Sequence, residues 1–206
     1  MSRYRQEWGP ATSQRRFDDP CTIGVISDTH VYPGGRRRIP DGVIRLFERA
    51  KLDLLVHLGD VNSRHVLEEL AELAPLIAVP GNNDDPELHF MLTETTRFQV
   101  GERTFGALHG HTGRTARQEA TKRFVGKVDC VLFGHSHKPL IEQVDDTILF
   151  NPGSATDRRW NEHFGIGIIW VEEGVIYPEL IVYKDPDHLD NIDVSSRGDT
   201  QPGDAT

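Results

Sequence analysis

The sequence predicts an α/β domain built around a mixed β-sheet. Short apolar runs alternate with segments of helical spacing through the first two thirds of the chain, which is typical of strands and helices arranged in layers. The last third contains pairs of apolar runs separated by two-residue turns, which predict hairpins added to a parallel core. The length of 206 residues suits one compact domain with additional segments at its ends.

The alternating part begins with a buried strand at residues 22–27 and a helix at 42–50 that starts after Pro40 and Asp41. A strand at 54–58 and a helix at 64–73, with leucines spaced by three residues, come next. The remaining predicted elements of this part are strands at 76–79, 104–108 and 130–133 and a helix at 115–125.

Two hairpins are predicted in the last third. Asp145-Asp146 separates strands at 140–144 and 147–150, and Glu173-Gly174 separates strands at 164–171 and 175–182. Outside these elements, residues 1–20 lack periodicity and predict a flexible N-terminal arm. Residues 184–206 are rich in aspartate and poor in large apolar side chains, which predicts an acidic, disordered tail. The folded domain is therefore expected to cover residues 21–183.

Composition excludes several classes of function. The chain has 32 acidic and 23 basic residues and a formal charge of −9, which argues against a dedicated nucleic-acid clamp. No apolar run reaches the roughly 18 residues of a membrane helix, and the polar N-terminal stretch does not resemble a signal peptide. Two cysteines cannot form a secreted-type disulfide framework. We therefore expect a cytoplasmic protein with no membrane partner.

Five short polar segments share one placement, since each follows an apolar strand at its carboxyl end. In open α/β sheets, ligands bind in the crevice beyond these ends. The segments are Ser27-Asp-Thr-His30, Leu58-Gly-Asp60, Pro80-Gly-Asn-Asn-Asp84, Leu108-His-Gly-His111 and Gly134-His-Ser-His137.

The residue types in these segments suit a pair of divalent metal ions. Carboxylates can bridge two ions, imidazoles bind Zn, Mn, Fe or Ni, and an amide oxygen is a neutral ligand. In Asp28-Thr-His30 and His135-Ser-His137, positions two apart are expected to share one face of an extended segment. The glycines before Asp60, Asn82 and His135 permit tight turns beside the ions.

Each segment also has a purely structural interpretation when it is taken alone. Asp28 could cap a turn, and Asp60 could be the N-cap of a helix that follows a strand. Gly81-Asn-Asn-Asp84 is an ordinary turn sequence, and a lone histidine is more often a hydrogen-bonded core residue than a ligand. Five strand ends that all carry metal-ligand types are difficult to explain by turn chemistry, so the set as a whole favours a metal site.

The order Asp-x-His, Gly-Asp, Gly-Asn-x-[Asp/Glu], His and Gly-His-x-His resembles the motif set of the calcineurin-like metallophosphoesterase superfamily. Gly81-Asn-Asn-Asp84, His109-Gly-His111 and Asn151-Pro-Gly-Ser154 are similar to the small bacterial and archaeal phosphodiesterases of the MJ0936-like group. The retromer subunit Vps29 shares their fold. The resemblance covers residues 21–183.

The resemblance implies a four-layer αββα sandwich of two mixed sheets, with a dinuclear metal site at the carboxyl ends of the strands. It implies two divalent ions, commonly Mn²⁺, with Fe, Zn, Ni or Co as alternatives. Carried over by motif, Asp28, His30 and His137 would bind the first ion and Asp60 would bridge both. Asn82, His109 and His135 would complete the second site.

Four further residues are candidates for the catalytic machinery. Many phosphomonoesterases of the superfamily carry histidine at the position of Asn83. Asp84, the next residue, is expected to orient its neighbours and not to act as the acid. His111 could orient the phosphate or donate a proton, or it could be a surface histidine. Arg158 could hold a phosphoryl oxygen through bidentate bonds, or it could be solvated beside a plain turn. Gly35-Arg-Arg-Arg38 could attract an anion or form a solvated face.

The leading hypothesis is a metal-dependent phosphodiesterase that hydrolyses small phosphodiesters by attack of a metal-bridging hydroxide. One alternative is a protein-binding scaffold of the same fold, but a scaffold can lose ligands freely, whereas all seven positions here carry competent residues. A phosphomonoesterase or nuclease of the superfamily is the other alternative. The negative charge counts against a nuclease, and a homo-oligomer is compatible with the sequence.

Overall fold

The computed structural model describes residues 15–194 and contains eleven strands and four α-helices over that part of the chain. In chain order the strands are β1 Arg15–Phe17, β2 Cys21–Ile26, β3 Leu54–His57, β4 Leu76–Ala78, β5 Thr95–Val100, β6 Arg103–Leu108, β7 Cys130–Phe133, β8 Leu140–Val144, β9 Thr147–Asn151, β10 Phe164–Glu172 and β11 Val175–Tyr183. The helices are α1 Asp41–Ala50, α2 Arg64–Leu70, α3 Pro86–Met91 and α4 Ala116–Phe124, followed by a 3₁₀ helix at Pro186–Asn191.

The strands form two mixed sheets, as the resemblance implied. A five-stranded sheet has the order β11-β10-β2-β3-β4, and a six-stranded sheet has the order β1-β5-β6-β7-β9-β8. Strands β2, β3 and β4 are parallel to one another, and so are β6, β7 and β9. The antiparallel pairs β8–β9 and β10–β11 are the two predicted hairpins.

Three apolar clusters give the order of the layers. Val25 and Val56 of the five-stranded sheet pack with Phe105, Leu132 and Phe150 of the six-stranded sheet in the central cluster. A second cluster joins the outer face of the five-stranded sheet to α1 and α2, and a third joins the six-stranded sheet to α4. Burial on both faces explains why the parallel strands are continuous apolar runs. The arrangement is therefore the expected αββα sandwich.

The structure corrects the predicted domain boundaries at both ends. Residues 15–17, assigned to a flexible arm, form a strand parallel to β5. Residues 184–194, assigned to a disordered tail, contain the 3₁₀ helix, in which Leu189 is fully buried. Asp190 there pairs with Arg45 of α1 at 2.8 Å. The other residues of the predicted arm and tail, 1–14 and 195–206, lie outside the described residues.

Two further elements, β5 and α3, were not predicted. In β5 only Phe98 and Val100 are buried, so its sequence lacks the continuous apolar run of the parallel strands. Helix α3 has six residues and a single buried side chain, Leu88, which is too short for a periodic pattern. Within residues 15–194, no helix is long and apolar enough to cross a membrane.

Candidate metal centre

The predicted site residues lie on loops that leave the carboxyl ends of parallel strands. The loops after β2, β3 and β4 come from one sheet, and those after β6, β7 and β9 come from the other. Hydrogen bonds link the two sets, since the backbone N–H of His135 donates to Asp28 Oδ2 at 3.0 Å. Both sheets therefore contribute to one site at a shared edge.

One group of candidate ligands consists of Asp28, His30 and His137. Their ligand atoms lie within 4.8 Å of one another, and all three residues are buried. His137 Nε2 is 3.2 Å from Asp28 Oδ1 and 3.3 Å from His30 Nε2. Such separations suit neighbouring ligands whose bonds to one ion are about 2.1 Å long. These are the residues to which the resemblance assigned the first ion.

Asp60, His109 and His135 form a second group within the same distance limit. His109 Nε2 is 3.5 Å from Asp60 Oδ1. The other carboxylate oxygen of Asp60, Oδ2, is 3.6 Å from His30 Nε2 in the first group. Asp60 consequently lies between the two groups with one oxygen towards each, which is where a bridging carboxylate would stand.

Hydrogen bonds orient three of the histidines. In each, Nδ1 contacts an oxygen that accepts only, so in the neutral ring the proton is on Nδ1 and Nε2 carries the free lone pair. The three Nε2 atoms face the carboxylates. The oxygens are the Leu58 carbonyl at 2.6 Å for His109, Asn62 Oδ1 at 3.1 Å for His30, and the Asp157 carbonyl for His137.

Buried atoms without a partner test whether these residues fit metal ions. Among the described residues they are Asp28 Oδ1, His109 Nε2, His111 Nδ1 and His135 Nδ1. Each buried polar atom left unpaired costs about 1–3 kcal/mol. Three of the four belong to the two ligand groups, and a cation placed between their lone pairs would remove that cost. The donor set of carboxylates and imidazoles therefore fits divalent ions.

The electrostatics of His109 support the same conclusion. Burial by itself lowers the pKa of this histidine, but the Asp60 and Asp28 carboxylates outweigh burial and raise it to about 9. Burial likewise opposes ionisation of Asp60, yet His109 and Asn83 hold the pKa of this carboxyl far below its usual range. A proton on His109 thus offsets the carboxylate charge when no cation is bound, and metal binding should displace it.

The ligand-bearing backbone is left-handed rather than extended. The φ angles are +54° at Asp28, +46° at His30, +56° at Asp60, +65° at His135 and +55° at His137. The expectation that ligands two apart share one face of an extended segment is therefore wrong, because β2 and β7 end before these residues. Non-glycine residues in this region cost of order 1–3 kcal/mol each and cluster at functional sites.

Two glycines are required because neighbouring loops approach closely. A Cβ on Gly81 would lie 2.2 Å from Asp60 Oδ1, and a Cβ on Gly134 would lie 2.1 Å from Ser27 Oγ. Both distances are far shorter than van der Waals contact. Gly59 has a φ of +89° and provides the expected turn before Asp60.

The three polar residues of the turn after β4 differ in their exposure and in their hydrogen bonds. Asn83 donates from its backbone N–H and its Nδ2 to the two oxygens of Asp60, at 2.9 and 2.7 Å. Asn82 is exposed and forms no hydrogen bond with the described residues. Asp84 is buried and accepts from the N–H groups of Asn62 and Gly81 at 2.6 and 2.7 Å. Both carboxylate oxygens therefore accept backbone hydrogen bonds, which suits a residue that orients its neighbours.

His111 lies beside the second ligand group. Its ring centroid is 5.5 Å from that of His109 and 6.4 Å from that of His135. Its Nε2 is 3.9 Å from Glu94 Oε2. Burial and the neighbouring His109 lower the pKa of His111, and the Glu94 carboxylate partly opposes this shift. The structure therefore places His111 beside the site, as the interpretation of His111 as a phosphate-orienting or proton-donating residue requires.

The arginines predicted to attract phosphate make their contacts with residues outside the two ligand groups. Arg158 is exposed, and its Nη1 donates to the Asn161 carbonyl at 2.7 Å within its own loop. Asn161 Nδ2 in turn donates to the His137 carbonyl at 2.8 Å, so this loop packs beside a candidate ligand. Of the arginines at 36–38, Arg37 pairs with Asp157 at 3.2 Å.

Sequence reasoning missed several residues that support the ligands. Asn62 contacts His30 and Asn83, and its only sequence signal is its place two residues after Asp60. His57, at the end of β3, was assigned no role. Its Nδ1 accepts the Gly59 N–H at 3.2 Å and its Nε2 is 3.0 Å from Thr29 Oγ1, which ties together two ligand loops. Burial lowers the pKa of His57 to about 3, so it is neutral.

The loop after β9 completes this support. Ser154 Oγ donates to the Asp28 carbonyl at 2.7 Å, and Asn151 Nδ2 donates to the Gly134 carbonyl at 2.9 Å. The Asn151-Pro-Gly-Ser154 segment thus holds ligand loops of both sheets by hydrogen bonds to their backbone carbonyls.

Comparisons with known proteins show which family the chain matches. Residues 22–174 match the family described as the calcineurin-like phosphoesterase superfamily domain. The probable metallophosphoesterase MJ0623 of Methanocaldococcus jannaschii is 35% identical over 140 residues, which are 66% of this chain and 69% of that protein. The phosphodiesterase MJ0936 of the same organism is 30% identical over 145 residues, 65% of this chain and 83% of that protein.

Solved structures give the same fold. A structure described as a novel archaeal phosphodiesterase is 26% identical, with a TM-score of 0.60 over 78% of this chain and 99% of that one. A Vps29 variant from Entamoeba histolytica is 22% identical, with a TM-score of 0.61 over 79% and 99% of the two chains. At that identity the second similarity concerns the fold alone.

Proposed function

Because the chain belongs to the calcineurin-like phosphoesterase superfamily, we propose that it is a phosphodiesterase that hydrolyses small phosphodiesters. It would use two divalent metal ions, with Mn²⁺ as the first choice and Fe, Zn, Ni or Co as alternatives. The observation that carries the proposal is the position of Asp60 between two groups of candidate ligands. A relative 30% identical is described as a phosphodiesterase, which supports the substrate class.

The residues that would hold the ions follow from the two groups. Asp28, His30 and His137 would hold one, His109 and His135 the other, and Asp60 both. Asn82 would join the second site by its place in the motif. Such a pair of ions, when bound, lowers the pKa of a water molecule and neutralises charge on the phosphoryl oxygens. The chain itself supplies fixed geometry, because backbone carbonyls and Asn62 hold the imidazoles with their Nε2 atoms directed inwards.

The preference for diesters rests on Asn83. Its amide donates to Asp60 and so stands at the edge of the site. An amide can donate a hydrogen bond but cannot release a proton to a departing alkoxide at neutral pH. A histidine in its place could act as a general acid, which is typically worth about 10²–10⁴-fold in rate. We therefore expect good leaving groups and the lower charge of diesters to be favoured.

His111 is the residue that could replace this missing acid. It lies beside His109, and its buried Nδ1 has no hydrogen-bond partner within residues 15–194. Only the protonated ring could release a proton to a leaving group, and the Glu94 carboxylate, 3.9 Å from Nε2, favours that form. Arg158 would need to leave its contact with Asn161 before it could contact a phosphoryl oxygen.

The test is a comparison of matched esters. Chelated protein reloaded separately with each metal should hydrolyse bis-p-nitrophenyl phosphate with a higher kcat/KM than p-nitrophenyl phosphate. The variant Asn83→His should raise monoester turnover relative to diester turnover. Equal or greater wild-type efficiency on the monoester, unchanged in Asn83→His and abolished in His111→Ala, would assign the proton to His111 and refute the proposed preference.

A scaffold function is the second candidate, because the fold is shared with Vps29. All seven predicted ligand positions nevertheless carry competent residues, and six of them converge in the two groups. A folded, metal-loaded protein that hydrolyses neither ester would favour the scaffold. Both cysteines are free and buried, which is compatible with the cytoplasm as the place of action.

A further inference from the structure

A positively charged groove lies next to the candidate metal centre. It has a volume of about 760 Å³ and lies between β5, the loop at residues 112–114 and α4. Among the described residues that line it, Glu119 is the single carboxylate, and five side chains are cationic: Arg97, Arg114, Lys122, Arg123 and Lys127. The chain as a whole has a formal charge of −9, so the charge of this groove has the opposite sign to the net charge.

The one carboxylate is used to build the groove. Glu119 is buried and accepts from the backbone N–H groups of Thr112 and Gly113 at 2.8 and 2.7 Å. It also accepts from Arg123 Nε at 3.0 Å. These contacts hold the 112–114 loop against α4 and pair the carboxylate with Arg123, so the other four cations of the lining face no carboxylate within it.

Of the remaining four cationic side chains, two are held by contacts with neighbouring residues and two are exposed. Lys127 Nζ donates to the Arg123 carbonyl at 2.8 Å, and the Arg97 guanidinium lies 5.4 Å from the centre of the Phe124 ring. Arg114 and Lys122 are exposed, and neither pairs with any residue in the part of the chain that the structure describes. The groove therefore presents unneutralised charge on a partly preorganised frame.

The lining indicates which kind of anion fits. Phosphate oxygens accept several charge-assisted hydrogen bonds from arginine and lysine at once. The aromatic residue in the groove, Phe124, is buried and covered by Arg97, so no ring is available for a base to stack on. The negative charge of the whole chain opposes a long polyanion such as nucleic acid.

Two residues of the groove wall are joined to residues of the candidate metal centre by the chain and by strand pairing. Its loop begins at Thr112, directly after His111, and Thr95 in its wall pairs with Leu108, directly before His109. We propose that this groove binds a second phosphate or a short phosphate chain on a small substrate whose diester lies at the metal centre. The link to the diester rests on the proposed function, whereas the anion site itself does not.

The first test measures binding without metal. The full chain, treated with a chelator, is titrated with sodium tripolyphosphate in a calorimeter at low salt. The variant Arg114→Gln/Lys122→Gln should weaken binding about tenfold, which corresponds to about 1.4 kcal/mol. The control Lys51→Gln/Lys184→Gln changes the net charge equally at exposed positions outside the groove and should leave Kd within about twofold. Thermal melting verifies that both variants fold.

Three results would overturn the proposal. They are no binding by the wild-type protein, equal weakening in the groove variant and the control, and tighter binding of a single-stranded oligonucleotide than of tripolyphosphate. The last would assign the groove to nucleic acid instead of a small phosphate compound.

The second test connects the groove to catalysis. With Mn²⁺ loaded, an aryl nucleotide diester is compared with the same diester bearing an additional phosphate on its sugar. The groove variant should raise KM about tenfold for the phosphorylated substrate with kcat unchanged, and should leave the parent substrate unaffected. Equal KM changes for both substrates would contradict the link. Tripolyphosphate binding without turnover of any ester would overturn the proposed function and support the anion site.

Discussion

His57 offers a test of how the two ligand loops are held together. Its ring accepts from Gly59 and contacts Thr29 Oγ1, so each hydrogen bond reaches a residue next to a candidate ligand. Because Gly59 donates to Nδ1, the proton of the neutral ring is on Nε2, which donates to Thr29. A second proton would occupy Nδ1 and break the contact with Gly59. The folded state therefore requires a neutral ring.

The magnitude follows from the pKa of His57. Burial lowers it from 6.5 to about 3 in the folded protein. The unfolded chain binds more protons below pH 6.5, so stability from His57 is complete above that pH and falls as the pH drops towards 3. Each pH unit in this window costs about 1.4 kcal/mol. Between pH 7.5 and 5, the free energy of unfolding should therefore fall by about 2 kcal/mol through His57 alone.

Urea unfolding of chelated protein at a series of pH values measures this effect. The variant His57→Asn retains an acceptor for Gly59 but cannot titrate, so wild-type protein should lose about 2 kcal/mol more than the variant between pH 7.5 and 5. The contributions of the other titrating groups to the free energy of unfolding are common to both proteins and cancel in that difference. His57→Leu should be less stable than His57→Asn at pH 7.5 by about 1–3 kcal/mol, because the Gly59 N–H is left unpaired. Parallel pH profiles for wild type and His57→Asn would refute the role assigned to this ring.

Three other predictions concern the site. Asp60→Ala should abolish activity and most metal binding, while Asp28→Ala should retain up to one ion; elemental analysis that finds two ions in Asp60→Ala would contradict the bridging assignment. Gly134→Ala should destabilise the fold by about 1–3 kcal/mol in urea unfolding, because the new Cβ meets Ser27 Oγ at 2.1 Å. Ser27→Ala should restore part of that loss. Metal at a hundred times its Kd should add about 2.7 kcal/mol to the stability of chelated protein; a Tm unchanged by Mn²⁺ would count against a metal site.

Much of the fold and of the site follows from local patterns. The parallel strands are recognisable because burial on both faces requires continuous apolar runs, and their carboxyl ends must meet at one edge. That is why Asp28, Asp60 and His109 could be selected together from positions far apart in the chain. Strand β1 and the 3₁₀ helix escaped notice because their contacts are with distant residues. Leu189 is buried in the apolar cluster that α1 forms with the five-stranded sheet.

The sequence by itself determined the chemical types at the strand ends and hence the class of site. Only the tertiary structure decided how those groups point. The left-handed backbone at His30 and His137 replaces the extended geometry expected from spacing. It is held by neighbouring loops, since the His30 N–H donates to the Asp60 carbonyl at 2.9 Å and Asn161 donates to the His137 carbonyl. The acceptors that orient the imidazoles include carbonyls of Leu58 and Asp157. Every residue has a carbonyl, so no pattern of side chains can reveal which one will face a histidine until the chain has folded.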